Sequence, residues 1–120
     1  MANAAIMTPA QVARDKAEKV ANAKAAVSLA DYNRTLEAYL LEVRSARGYT
    51  DRDPSEYYNS GVERWAQDAR DWVLFRDRVM VYGLQVLTQY EQSGEAPCTI
   101  EEFAEELRKI EIHWTFQQPQ

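Results

Sequence analysis

The stretch that decides the fold is residues 62–90, VERWAQDARDWVLFRDRVMVYGLQVLTQY. Val62, Trp65, Ala69, Trp72, Arg76, Val79, Gly83, Val86 and Tyr90 recur in it at alternating spacings of three and four. That is the period of one face of an α-helix. Every member of the row is apolar or small except Arg76. A second row, Ala66, Val73, Met80 and Leu87, runs beside it, and Phe75 and Tyr82 widen the apolar face. The stretch reads as a helix built for burial against more than one element.

Glycine and proline bracket this helix. Ser60-Gly61 precedes it and the run from Ser93 to Pro97 closes it, residues that favour turns for distinct backbone reasons. Thr99 and Glu102 then stand at capping-box spacing, with Cys98 and Phe103 at the staple positions, so a short helix is predicted over about Ile100 to Lys109. Beyond it Ile110, Ile112, Trp114 and Phe116 alternate with Glu111, His113 and Thr115. This is the period of an extended segment, which must lie along a helical groove, pair with another chain or stay solvated. The pattern predicts that truncation after Lys109 leaves most of the helicity intact.

Upstream, Thr8-Pro9 reads as a helix cap and first turn. Residues 10–26 are mostly alanine with interspersed charge, high in helix propensity and poor in apolar area. From Leu29 a fuller stripe follows: Leu29, Tyr32, Leu36, Tyr39, Val43 and Ala46, with Leu40 beside it. The two stripes differ in phase, which predicts either a break near Ser28 or a straight helix whose halves face different partners. Arg44, Arg47 and Gly48 complete the helix with cations at its negative end and a glycine for the turn. Asp53-Pro54 opens a short turn through Tyr57 and Tyr58. The expected architecture is all-α: a long N-terminal helical arm packed antiparallel to a second long helix, a short capped C-terminal helix and an extended tail. Residues 1–28 form the Ala-rich arm, 29–116 the helical domain with its tail from about 110, and 117–120 a disordered end.

Composition narrows the function. With 120 residues the chain fits one domain. A net charge of −5 argues against neutralising a phosphate backbone, so no nucleic-acid partner is expected. No apolar run approaches the length of a membrane span, and charges interrupt the first thirty residues where a signal peptide would need an apolar core. One cysteine, Cys98, permits no internal disulfide, and with the one histidine, His113, it makes no usual metal site. No phosphate loop, nucleophile elbow or zinc-protease motif is present, so neither an enzyme nor a cofactor is expected.

Arg76 interrupts an apolar row and so demands an anion or carbonyls, because an unpaired buried charge is strongly unfavourable. Glu37 and Glu42 on the preceding helix are the candidate partners, with Asp71 or Asp77 as local alternatives. Trp65 and Trp72 serve either as core anchors or as a partner-facing surface.

Arg47-Gly48-Tyr49, Tyr57-Tyr58, Trp65, Ala69, Phe75-Arg76-Asp77, Val81-Tyr82, Leu87 and the terminal residues Ile110 to Trp114 occur in that order. In this the chain resembles small proteins of tailed bacteriophages described as tail or tail-fibre assembly proteins. It departs from them at Phe75, where tryptophan is usual, at Cys98 between Pro97 and Thr99, and in lacking a proline near Trp114. The resemblance implies a tail-fibre assembly chaperone acting in the host cytoplasm, with a tail-fibre or baseplate protein as partner. Trp65, Trp72, Ile110, Ile112, Trp114 and Phe116 would then be the contact residues, and the arm a second contact or a means of self-association. A permanent place in the virion tail or baseplate is the alternative, and a small inhibitor of a host defence protein a third reading.

Overall fold

The computed structural model describes residues 8–117, in which four α-helices and one 3-10 turn account for the regular structure and no strand occurs. Helix α1 spans Pro9–Ala25, α2 Leu29–Ala46, α3 Glu63–Ser93 and α4 Ile100–Arg108, while the 3-10 turn covers Pro54–Tyr57. The expected all-α architecture is present, with α3 as its spine.

Local chemistry sets most boundaries. Thr8 and Gln11, Ser28 and Asp31, and Thr99 and Glu102 each close a reciprocal capping box at the start of α1, α2 and α4, satisfying backbone donors that a helix start otherwise leaves orphaned. The Ser28 cap settles the phase change between the two N-terminal stripes. The arm is two helices, not one, with Val27 tucked into the core between them. Gly94 ends α3 in the left-handed region at φ 74°, and its N–H reaches the Tyr90 carbonyl at 2.8 Å.

Helices α2 and α3 pack antiparallel, since Tyr32 meets Tyr90 while Tyr39 meets Phe75. Gly83 permits their close approach: a Cβ there would stand 2.4 Å from Leu36 Cδ1. Helix α4 lies beside both. Phe103 packs edge-on against Tyr32 with ring centroids 5.0 Å apart and stacks on Tyr82 at 5.5 Å. Trp72, Phe75, Val79, Phe103 and Leu107 are fully buried, and burying such side chains contributes about 1.5–3 kcal/mol each.

One expectation requires correction. The arm does not pack antiparallel along its whole length: α2 alone does so, while no residue of α1 is buried. The molecule accordingly stretches to 74 × 37 × 21 Å. Of the three placements open to the C-terminal tail it takes the helical groove, where Ile110, Ile112 and Trp114 pack against the core. The disordered end expected over 117–120 falls, beyond Gln117, outside the described residues, as do residues 1–7 of the arm. Gln117 itself is held through its carbonyl by Arg64.

Candidate functional site

The C-terminal segment runs as a strap along the seam between α2 and α3, from Tyr39 at one end to the start of α3 at the other. Tyr39 donates to the Ile110 carbonyl at 2.7 Å. Thr115 donates to Asp71 through its N–H at 2.7 Å and its hydroxyl at 3.1 Å, and Arg47 donates to the Phe116 carbonyl at 2.6 Å. The same guanidinium lies 4.6 Å from the centre of the Trp114 ring, a favourable cation–π distance.

Arg47 is the hub of this end of the molecule. Its Nη2 and Nε reach the two Asp68 carboxylate oxygens at 2.8 and 3.3 Å, with the side chains only 5% and 4% exposed. Tyr49 donates to Asp68 at 2.8 Å. Burial, and after it the adjoining carboxylate, push the Tyr49 phenol far above the ordinary tyrosine range, so it remains a donor. The Arg47-Gly48-Tyr49 corner is therefore a folding device: it ties the end of α2, the start of α3 and the strap together. Arg44 secures the adjoining loop by donating to the Tyr49, Thr50 and Arg52 carbonyls.

The buried ion pair thus falls elsewhere than expected. Arg76 is a third exposed and pairs with its neighbour Asp77 at 3.2 Å. Glu42 pairs instead with Arg108, at 2.9 Å, and Glu37 lies exposed. Arg76 leaves the α2 side of its row for the 3-10 turn, where it helps hold the Asp53 carboxyl below its usual range; burial opposes that shift and hydrogen bonding by Ser55 drives it. The helix row predicts direction but not what stands opposite.

The proposed contact residues divide in the same way. Trp72 is 1% exposed and belongs to the core, so it is removed from the contact set. Its indole N–H adds to the stabilisation of the Asp53 carboxylate yet closes no hydrogen bond of normal geometry. Trp65 is 47% exposed, its other side covered edge-on by Tyr57. Ile110, Ile112 and Trp114 turn inward, and Phe116 remains half open at the end of the strap. Three residues not assigned from the sequence to a contact surface stand furthest into solvent: Leu74, Val81 and Leu84, at 70%, 55% and 64% exposure on the outer face of α3. Their spacing of seven and three is the only signal that would have found them, and the broad apolar content of the helix hid it.

Between this outer face and the strap lies a groove of about 630 Å³, walled by Leu74, Phe75, Val81 and Ile112 and edged by Asp77, Arg78, Glu111 and His113. Its apolar walls suit binding. Among the described residues no helix is long and apolar enough to cross a membrane, and no group of side chains is arranged to hold a metal ion. Cys98 is half-buried beside Tyr32, and burial raises its thiol pKa, which leaves it a poor nucleophile. Compared with protein-family models, with curated proteins and with solved structures, the chain finds no match.

Proposed function

We propose that this chain is a non-enzymatic assembly factor that covers an apolar surface of another protein subunit, a phage tail-fibre subunit being the partner class that the sequence resemblance suggests. The single observation that carries the reading is the outer face of α3. The opposite side of the same helix is sealed into the core, yet Leu74, Val81 and Leu84 stand open beside a groove with apolar walls. Exposed apolar side chains on one helix face, here Leu74 and Val81 with the charged Asp77 and Arg78 between them, suit a site of interaction. The polar chemistry of the molecule supports the same reading, because Arg47, Asp68, Asp71 and Tyr49 are engaged in tying the fold together. Helix α1, with no buried residue, is a second element available to a partner or to another copy.

Co-expression with a phage tail-fibre subunit tests the proposal. Soluble, trimeric fibre should increase with the wild-type chain and fall back with Leu74→Asp/Val81→Asp, whose sites are exposed and whose fold is checked by circular dichroism. Fibre yield indifferent to the chain refutes the reading. Mass spectrometry of purified particles separates a transient chaperone, absent from virions, from a permanent component present in fixed stoichiometry.

A further inference from the structure

We infer that the groove beside α3 takes an extended peptide segment, which pairs its backbone with the exposed edge of the strap at Glu111 and His113. The inference rests on the reading of this chain as a binding protein and names the kind of segment it binds. In an extended chain the N–H and C=O of one residue point to the same side, and successive residues alternate. The strap bends at Ile110 and again at Thr115-Phe116 and is free of bends over 111–114, and its hydrogen bonds keep this sidedness. The carbonyls of Ile110 and Phe116 are taken by Tyr39 and Arg47 on the α2 side. The Thr115 N–H and Gln117 carbonyl go to Asp71 and Arg64 on α3, and the Glu111 carbonyl turns toward Arg78 at 3.4 Å.

Odd-numbered residues therefore address α3. Glu111 N–H and both backbone groups of His113 belong to this edge, and among the described residues none of the three has a hydrogen-bond partner in the protein. They border the groove whose far wall is Leu74 and Val81. A helix laid there would leave these groups unpaired, since its own backbone is already satisfied. An extended segment would pair with them and send every second side chain between Leu74 and Val81, which is the logic of strand addition to an open edge. Charge narrows the occupant further. Glu111 is exposed at the rim, Asp77 is exposed there but paired with Arg76, Asp71 is engaged by Thr115, and Arg78 is the one lysine or arginine among the lining residues. The groove thus fits a segment apolar at alternate positions with a lysine or arginine where it passes Glu111.

The test is an amide-resolved NMR titration of the full chain with a synthetic peptide of about six residues, alternating valine and threonine with a lysine at each end. The expected result is saturable shifts at Glu111, His113, Leu74 and Val81, lost in Leu74→Asp/Val81→Asp. N-methylation of alternate peptide amides should weaken binding at least about tenfold, the effect of losing one or two net backbone hydrogen bonds. No shift with the parent peptide overturns the inference. So does equal affinity of the N-methylated peptide, which would mean an apolar groove without backbone pairing, or concentration-dependent shifts of those residues without peptide, which would mean that a second copy fills it. Failure of the titration while fibre rescue still depends on Leu74 and Val81 removes strand docking alone; failure of fibre rescue with the titration intact removes the tail-fibre assignment alone.

Discussion

Substituting Asp68 by leucine would strand the Arg47 guanidinium in a site where both side chains are almost wholly enclosed. The arginine would keep the Phe116 carbonyl and the Trp114 ring but lose the two-point contact to its anion. Breaking a buried pair from one side costs about 3–5 kcal/mol. For a domain near this size each kcal/mol lowers Tm by about 4–8 °C, so a fall of about 12 °C or more is expected. The informative step is the second substitution. Adding Arg47→Met to Asp68→Leu removes the stranded charge, and although it also forfeits the Phe116 and Trp114 contacts, it should restore about 1–3 kcal/mol. Tyr49 lacks its acceptor in both variants, so that loss cancels in the comparison. Urea denaturation followed by circular dichroism reads the difference as a shift in midpoint at constant m-value. Both effects should persist in high salt, because an enclosed pair is poorly screened. A double variant less stable than Asp68→Leu alone would refute the account of Arg47 and Asp68 as a mutually dependent buried pair.

Truncation after Lys109 removes three core-contacting side chains, Ile110, Ile112 and Trp114, and should lower stability by about 3–5 kcal/mol. The expectation from sequence that most helicity survives the cut is then decided by how much stability remains, and an unchanged melting curve would return the strap to the status of a loose tail. Gly83→Val, which places a branched side chain where even a Cβ meets Leu36, should cost about 1–3 kcal/mol; wild-type stability of that variant would show that α2 and α3 separate freely. At high pH, burial raises the phenols of Tyr32 and Tyr82 to about 12, above the unfolded value of 10.0. Folding favours their protonated form, so this contribution is complete below pH 10 and is lost as pH rises toward 12. Stability should decline through that window, and exposure of these two phenols should coincide with unfolding; phenolate absorbance that rises fully before the loss of helical signal would contradict it.

What the sequence determined by itself was local. The cap pairs Thr8-Gln11 and Thr99-Glu102 and the positive-φ glycines Gly48 and Gly94 act within a few residues of chain, so the helices they bound were legible from spacing and residue type. The α3 row was right at Ala69, Trp72, Val79, Gly83 and Val86, and failed at Arg76, which turns out of the seam, and at Val62 and Trp65, where α2 has already ended. What only the tertiary structure decided was which polar groups meet. Asp68 and Arg47 are 21 residues apart, and Tyr39 and Ile110 are 71 apart. No periodicity connects such positions, so Arg76 looked like the buried cation while Arg47 looked like a helix-end charge. The strap shows the division most plainly. Alternation predicted its extended form and its apolar face, but an extended segment acquires partners only from outside itself. The seam between α2 and α3 supplied them, turning Ile110, Ile112 and Trp114 inward and leaving Phe116, Leu74, Val81 and one edge of the strap exposed.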